Sequence, residues 1–237
     1  MASLKEMVKK TKLSNDPRPS LFESYIDTLI RRYQQNEQRD RPDETFHVSS
    51  LLTEPDKFCA RQKIYQYNER DKHMQPNLSP GTRRIFWNGN VHHEKWQKLF
   101  IKMNIALYIE KTRYSKYYHL TGTPDAIIEW AGKSYVVEIK TMNTHIFKKL
   151  KDVPKNALLQ ANFYMFLSGV PRAIVFIDNK NDHAIKTFFL DFDASIIYPY
   201  LSQHEEVVKY WKQKKIPPKK CFTKNEAKKC EYCNKCF

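Results

Sequence analysis

Two carboxylates and a lysine in the middle of the chain have the residue types and the spacing to do chemistry. Asp125 directly follows the Gly-Thr-Pro of residues 122–124, and Glu138 and Lys140 stand two positions apart further along the chain. Side chains two positions apart on a β-strand point to the same face of a sheet, so Glu138 and Lys140 share a face if this segment is a strand. Carboxylate oxygens are the ligands that Mg²⁺ and Mn²⁺ prefer.

Such a metal would polarise a phosphoryl oxygen and lower the pKa of a bound water. A lysine at the same place could position or deprotonate that water and stabilise developing charge. The alternative is an ordinary salt bridge between Glu138 and Lys140. The residues around the pair are apolar, and charges on an apolar strand are costly unless they are paired or bind something. This context favours a site for metal-assisted hydrolysis of a phosphate ester.

The hydrophobic pattern predicts the elements that must position these residues. A β-hairpin with strands at 125–130 and 134–141 and a tight turn at 131–133 brings Asp125 beside the strand of Glu138. Helices are predicted at 21–30, 84–103, 156–167 and 195–214, and further strands at 117–120, 173–177 and 185–192. Polar segments at 1–17, 35–45 and 68–82 are expected to lack regular structure. The order predicts an α/β fold with helices packed on a sheet of mixed direction.

The composition bounds the class of protein and its partners. The chain has 237 residues, of which 41% are hydrophobic, which suffices for one domain with room for an appended lobe. The net charge of +15 indicates a polyanionic partner such as nucleic acid, although a basic surface that only confers solubility is the alternative. No stretch approaches the roughly 18 apolar residues of a membrane span, and the first residues have no apolar signal segment. We therefore expect a cytoplasmic protein without a membrane partner.

Five cysteines form a second candidate site. Four of them lie in the last 17 residues, and an odd number in a chain without a signal segment does not suggest a disulfide framework. The run Cys230-x2-Cys233-x2-Cys236 is the spacing with which bacterial ferredoxins bind one iron–sulfur cluster. Tetrahedral zinc on the four tail cysteines, or free thiols, are the alternatives. Either metal site would be structural, because thiolates select a different metal from the one that carboxylates hold.

The motifs Thr123-Pro124-Asp125 and Glu138-Ile139-Lys140 resemble those of the PD-(D/E)XK nuclease superfamily. Over roughly residues 48–237 the chain is similar to the RecB-type exonuclease branch, which includes the CRISPR-associated spacer-acquisition nuclease and phage homologues. The resemblance implies a restriction-endonuclease-like fold, a mixed central sheet flanked by helices. It also implies an N-terminal helical extension at 1–47, a nuclease core at 48–216 and a Cys-rich tail at 217–237.

The resemblance also implies roles for residues outside the hairpin. In this branch a Gly, three residues and a His give a further metal ligand, which places that ligand at His93, with His92 as the alternative. A Gln and a Tyr four residues apart on the helix after Glu-x-Lys correspond to Gln160 and Tyr164, which would share one helical face. Gln160 would support the active site, and Tyr164 would lie by the DNA path.

Many members of the branch bind a [4Fe–4S] cluster with one cysteine before the nuclease core and three after it. Cys59, followed by Arg61 and Tyr65, matches the upstream segment. The tail departs from the common C-x2-C-x5-C pattern. The residues Cys230 and Cys236 keep the x5 spacing, which makes Cys221 the third tail ligand and Cys233 an alternative ligand.

The expected function is a DNA exonuclease that uses Mg²⁺ or Mn²⁺, acts on single-stranded DNA or DNA ends, and serves replication, recombination or repair. Asp125 and Glu138 would hold the metal, His93 would add a ligand, Lys140 would activate water and Gln160 would support them. An endonuclease on the same core, or a non-catalytic DNA-binding protein with a structural zinc site, are the alternatives. By analogy with phage nucleases, the location would be the host cytoplasm.

Overall fold

A computed structural model describes residues 18–36, 45–68, 78–221, 223–228 and 230–237. The helices are α1 Arg18–Asn36, α2 Ala60–Asn68, α3 Pro80–Lys102, α4 Thr144–Lys149, α5 Lys155–Ser168, α6 Ala194–Lys212 and α7 Cys233–Cys236. The strands are β1 Phe46–His47, β2 Ala106–Ile109, β3 Arg113–Ser115, β4 Leu120–Gly122, β5 Ala126–Trp130, β6 Lys133–Met142, β7 Arg172–Asn179 and β8 Ile185–Asp191. The polar segment 1–17 and most of 35–45 and 68–82 lie outside the described residues.

The described residues divide into two compact units. One contains α1 and the start of α3 up to residue 88, and the other contains residues 45–68 and the chain from residue 89 onward. Within the first unit, the Arg84 guanidinium Nε lies 3.6 Å from the Asp27 carboxylate, which ties α3 to α1. The second unit carries both sheets and all the predicted site residues.

A five-stranded sheet forms the centre of the second unit. Its strands follow the order β2-β5-β6-β7-β8, with β6 and β7 parallel and the other neighbours antiparallel. The parallel pair needs a crossover, which α4 and α5 provide. A second sheet has the order β1-β4-β3 and also combines parallel and antiparallel pairing. The predicted fold class, a mixed sheet flanked by helices, is therefore confirmed.

The two faces of the central sheet bury different apolar sets. Val136, Val175 and Ile177 point to the face on which α5 and α6 pack. Ile139 and Phe176 point to the opposite face, where α3 covers them. Because β6 is covered on both sides, a polar side chain along it is taken out of water. Glu138 and Lys140 alternate with this second set and therefore lie on the α5 face.

The turn between β5 and β6 has two residues rather than the predicted three. Trp130 pairs directly with Lys133, so only Ala131 and Gly132 connect the strands. Both have positive φ, 50° and 70°, the conformation that two-residue turns adopt to match the twist of a hairpin. This close turn fixes the register of β6 against β5, and with it the place of Glu138.

The strand predicted at 117–120 is wrong except for its last residue. Residues 116–119 form the turn of a β3–β4 hairpin, in which His119 has a φ of 47°, and the strand begins at Leu120. The aromatic residues Tyr117 and Tyr118 favoured a strand, but chain reversal overrides that propensity. The pattern also failed to reveal the short elements β2, β3 and α4.

Candidate active site

Asp125 is fixed at the point where β5 begins. The first strand pairing is Ala126 with Val137, so Asp125 lies just beyond the paired residues. Its Oδ2 accepts a hydrogen bond of 2.6 Å from the backbone N–H of Ile139. The carboxylate thus takes the place of a backbone carbonyl in the ladder and stands against β6 between Glu138 and Lys140.

Glu138 and Lys140 lie together on the α5 face of β6. The Lys140 ammonium forms an ion pair with Glu138 Oε1. It also donates a hydrogen bond of 3.1 Å to Gln160 Oε1 on α5. Lys140 is therefore held by two partners from two elements, and its position depends on how α5 packs against the sheet.

His93 reaches the same place from α3. Its Nδ1 lies 3.2 Å from Asp125 Oδ1, the oxygen that the backbone of β6 does not use. The adjacent His92 points elsewhere, with its Nδ1 2.9 Å from Asp178. Successive helical residues point about 100° apart, which is why only one of the two histidines faces Asp125.

Burial makes Glu138 an unusual carboxylate. Its side chain is 1% exposed, and Oε2 has no hydrogen-bond partner. Burial, joined by the negative charge of Asp125, raises the pKa of Glu138 to about 7, although Lys140 opposes the rise. At neutral pH Glu138 is therefore protonated in a substantial fraction of the molecules when no cation is bound.

The neighbouring carboxylates raise the pKa values of the two basic residues of the site, Lys140 and His93. Burial by itself lowers the pKa of Lys140, but the charges of Glu138 and Asp125 outweigh it and raise the pKa above the ordinary value. For His93 burial also lowers the pKa, and the hydrogen bond and charge of Asp125 reverse the sign. Lys140 is therefore an ammonium at neutral pH, suited to stabilising negative charge.

These residues have the donor types of a divalent-cation site, although no set of one ligand atom each from His93, Asp125 and Glu138 lies within 4.8 Å of one another in the described structure. The unpartnered Oε2 of Glu138 and the Oδ1 of Asp125 offer oxygen ligands, and the imidazole of His93 stands at the same carboxylate. A cation held by these residues would offset the negative charge of Asp125, which adds to burial in raising the pKa of Glu138. A set of two carboxylate oxygens and one imidazole nitrogen suits Mg²⁺ or Mn²⁺, with Mn²⁺ the more tolerant of nitrogen.

Tyr164 stands behind the site rather than on its surface. Its hydroxyl accepts a 2.8 Å hydrogen bond from Gln160 Nε2, so a chain of contacts runs from Lys140 through Gln160 to Tyr164. The ring is 2% exposed and packs under Gly122, where an added Cβ would lie 2.8 Å from ring carbon Cε1. A ring in this position has no exposed face on which a base could stack, and the expected place of Tyr164 by the DNA path stays a prediction.

Gln97 is a residue of the site that the sequence pattern did not single out. Its buried amide Nε2 donates to the backbone carbonyl of Asp125, at 3.1 Å, and to Glu110 Oε1, at 3.0 Å. Gln97 therefore holds the chain at the residue that carries the carboxylate. It follows His93 by four positions, and this spacing on one helical face is the signal that could have revealed it.

Four cysteines from distant parts of the chain face one another. A small cavity of about 20 Å³ is lined by all five cysteines together with Tyr65, Tyr232 and other residues of α2 and the tail. Burial raises the pKa of Cys221, and the neighbouring Cys59, Cys230 and Cys236 raise it further. Cys233 differs, because its thiol donates to the Lys224 carbonyl at 3.9 Å.

The spacing of these thiols bears on what they could hold. Among the described residues, His92, Asp178 and His183 are the one group of three or more candidate ligands whose atoms all lie within 4.8 Å of one another, so no three cysteines meet that limit. Mononuclear zinc with bonds of about 2.3 Å places its sulfurs roughly 3.8 Å apart. The wider arrangement accommodates a polynuclear cluster better than a single ion.

Comparisons with known proteins place the fold. No protein-family model and no curated protein matches the chain. Among solved structures, the protein SSO0001 is similar with a TM-score of 0.55 and 16% identity, covering 90% of this chain and 94% of its own. An alkaline exonuclease from Laribacter hongkongensis has a TM-score of 0.52 and 14% identity, covering 72% of this chain and 93% of its own. These likenesses define an exonuclease-like fold.

The same exonuclease, solved in complex with dAMP, is similar with a TM-score of 0.50 and 13% identity, over 72% of this chain and 89% of that one. None of the helices in the described part of the chain is long and apolar enough to cross a membrane. The likeness to solved structures supports an exonuclease-like α/β fold. The chemistry must be argued from the residues.

Proposed function

We propose that the chain is a divalent-metal-dependent deoxyribonuclease of the PD-(D/E)XK type. The observation that carries this proposal is that pairwise contacts bring His93 to Asp125, Asp125 to β6 and Lys140 to Glu138, although these residues come from three elements. Glu138 is buried there with one unpartnered oxygen, an arrangement that weakens the fold unless it serves binding. The exonuclease-like fold supports the same class of reaction.

In the proposed mechanism, Asp125, Glu138 and His93 hold the cation. When bound, the cation supplies polarisation of a phosphoryl oxygen and a bound water of lowered pKa. Asp125 is oriented by the Ile139 N–H and by Gln97, so its second oxygen, Oδ1, keeps one direction. Lys140 positions the attacking water and stabilises the negative charge that develops on the phosphoryl oxygens. Gln160 holds Lys140, and Tyr164 holds Gln160.

The substrate of the proposed enzyme is DNA, with single strands or ends preferred. The net charge of +15 supplies phosphate contacts without base specificity. The resemblance to RecB-type enzymes favours an exonuclease, and the alkaline exonuclease fold agrees with it. An endonuclease on the same core remains the competing function, because both reactions need the same residues at the site.

A cleavage assay tests the reaction and its site. Linear single-stranded DNA, labelled at the 5′ or the 3′ end, is incubated with wild type, Glu138→Ala or Glu129→Ala, in Mg²⁺, Mn²⁺ or EDTA. Glu129 is an exposed carboxylate on the same hairpin and serves as the matched control. We expect metal-dependent loss of label with wild type and Glu129→Ala only. Binding without cleavage by wild type under every metal would contradict the nuclease and support a binding protein.

A circular single strand separates the two nuclease activities. An exonuclease needs an end, so it should degrade the linear strand and leave the circle of the same sequence intact. Cleavage of both at similar rates would establish an endonuclease instead. Lys140→Ala should abolish cleavage of the linear strand and leave binding nearly intact, because Lys140 acts on the charge of the transition state.

We propose further that Cys59, Cys221, Cys230 and Cys236 hold a [4Fe–4S] cluster that joins the tail to the segment before the core. These four cysteines and Cys233 line one cavity, and Cys233 differs in that its thiol donates to the Lys224 carbonyl. An anaerobic preparation should contain iron and show a broad visible absorption band. Stoichiometric zinc without iron would establish the competing zinc site.

A further inference from the structure

A buried aspartate at the end of β7 gathers side chains that the proposed nuclease site does not use. Asp178 is 0% exposed, and its Oδ2 accepts hydrogen bonds from His92 Nδ1, Trp96 Nε1 and Lys95 Nζ at 2.9, 2.8 and 3.2 Å. Burial alone raises the pKa of Asp178, but these hydrogen bonds outweigh it and keep the pKa below the ordinary value. The carboxylate is therefore ionised and clamps α3 to β7.

The second oxygen of the Asp178 carboxylate takes no part in these hydrogen bonds. Asp178 Oδ1 is buried and has no hydrogen-bond partner, and the nearest imidazole nitrogen, His183 Nδ1, stands 3.8 Å away. His183 lies in the loop between β7 and β8 with a φ of 61°, which non-glycine residues rarely adopt. A hydrogen bond of 2.8 Å from its N–H to the Asn179 carbonyl holds the loop in this form. The loop therefore aims an imidazole at a buried oxygen that lacks a partner.

We propose that His92, Asp178 and His183 form a second metal site, for a divalent transition-metal ion of the Zn²⁺ type. One ligand atom from each of the three lies within 4.8 Å of the others. Two imidazole nitrogens and one carboxylate oxygen suit Zn²⁺, Co²⁺ or Ni²⁺, whereas Mg²⁺ prefers oxygen ligands throughout. The ion would satisfy Oδ1 of Asp178. The side chain of His183 is 61% exposed, which leaves a fourth position open to solvent.

The site would tie helix α3 to the β7–β8 hairpin. His92 directly precedes His93, which faces Asp125, so the two proposed metal sites adjoin on the helix and differ in donor type. Lys95 is the resident positive charge at the carboxylate, and an incoming ion competes with its ammonium. This competition distinguishes a metal site from a purely structural clamp, in which Lys95 would only stabilise the aspartate.

Isothermal titration calorimetry of the full chain with ZnCl₂, in excess Mg²⁺, tests the site. His183→Asn removes the imidazole and keeps a residue that tolerates positive φ. The exposed histidine of α4, His145, supplies the matched control His145→Asn. All three proteins keep the cysteines and Asp125, so zinc bound at those groups is the same in each. A difference in zinc stoichiometry among the three therefore reports on the site of His183. We expect wild type and His145→Asn to bind one equivalent more than His183→Asn. Equal stoichiometry in all three would overturn the proposal.

A second variant should raise the affinity of the site for Zn²⁺, whereas His183→Asn removes it. Lys95→Met removes the competing charge from an exposed side chain and should tighten the same equivalent by roughly tenfold, the usual scale for one neighbouring charge. Co²⁺ bound there should show visible d–d absorption without thiolate charge-transfer bands, and the absorption should be absent in His183→Asn. Zinc binding by Lys95→Met that is no tighter than in wild type would also count against the site.

Discussion

Glu138 shows how a single residue can serve a site at the expense of the fold. An acid whose pKa is about 7 in the folded protein and 4.5 in the unfolded chain is ionised more readily when the chain unfolds. Its ionisation therefore destabilises the fold progressively as the pH rises from about 4.5 to about 7, and above that range the penalty stays constant. A bound cation would remove much of that penalty.

The first prediction follows from this sign. Glu138→Gln should unfold at a higher temperature than wild type at pH 8 in EDTA, because the amide keeps the size of the side chain and cannot ionise. The gain should shrink at pH 5, and it should shrink at pH 8 when Mg²⁺ or Mn²⁺ stabilises wild type. Thermal unfolding followed by circular dichroism measures it.

Glu129→Gln is the control for this prediction, since it removes an exposed charge from the same hairpin and should change little at either pH. A stability of Glu138→Gln below that of wild type in EDTA at pH 8 would show that the ion pair with Lys140 matters more than the burial of charge.

At the scale of elements, the site depends on how closely β4 approaches α5. A Cβ on Gly122 would lie 2.8 Å from Tyr164 Cε1 and 2.9 Å from Leu167 Cδ1, closer than packed carbons allow. The second prediction is that Gly122→Ala destabilises the protein by about 1–3 kcal/mol, the usual cost of overpacking. Displacement of Tyr164 should also loosen Gln160 and Lys140 and slow cleavage. Urea unfolding and the linear-strand assay measure the two effects.

Gly89→Ala is the matched control. Gly89 lies in helix α3, and nothing stands within 4 Å of the position its Cβ would take. Alanine there should leave stability unchanged or raise it by roughly 0.5–1 kcal/mol, because glycine disfavours helix interiors. Equal effects of the two substitutions would show that the contact between β4 and α5 does not constrain the site.

A third prediction concerns the contact between α6 and the β3–β4 turn. His204 is 2% exposed, and its Nε2 donates to the Tyr118 carbonyl at 2.8 Å. Burial lowers the pKa of His204 from 6.5 to about 4, despite the opposing hydrogen bond. Because the folded pKa is the lower one, the stability conferred by neutral His204 is complete above about pH 6.5 and is lost as the pH falls toward 4. The difference of about 2.5 units corresponds to roughly 3 kcal/mol.

His204→Gln keeps a hydrogen-bond donor and cannot be protonated, so its free energy of unfolding should fall less than that of wild type between pH 7 and pH 5. Urea unfolding at several pH values measures the slope. His145→Gln, at an exposed position, should retain the wild-type slope. A slope for His204→Gln that matches wild type would show that the pKa of this histidine is the same in the folded and the unfolded state.

The sequence predicts an element correctly where one local residue pattern determines its secondary structure. Alternation and a tight turn predict the β5–β6 hairpin, and the i, i+2 rule predicts that Glu138 and Lys140 share a face. It could not reveal β2 or β3, because strands of three or four residues leave too short a pattern. Asp178 illustrates the same limit at the site. It follows an apolar strand, and only tertiary packing brings His92 and His183 to it.

At the scale of the whole unit, the Cys-rich tail returns to the segment that precedes the core. Gln66 Nε2 on α2 donates to Glu231 Oε1 at 2.9 Å, and the Tyr65 and Tyr232 rings lie 5.4 Å apart. The crowded thiols would repel one another once they ionised. A cluster bound by Cys59 and three tail cysteines would supply the missing attraction, since bonds that close a long loop remove entropy from the unfolded chain.

The fourth prediction compares two tail cysteines that stand three positions apart. Cys236→Ser removes a thiol that faces Cys221 and Cys230, so it should lower the iron content, weaken the visible absorption and lower the thermal midpoint. Cys233→Ser should leave all three unchanged, because its thiol is turned to the Lys224 carbonyl. Cleavage per folded molecule should persist in both variants, since neither residue touches Asp125. If Cys233→Ser lost iron and Cys236→Ser kept it, the ferredoxin-like use of Cys233 would replace the ligand set proposed here.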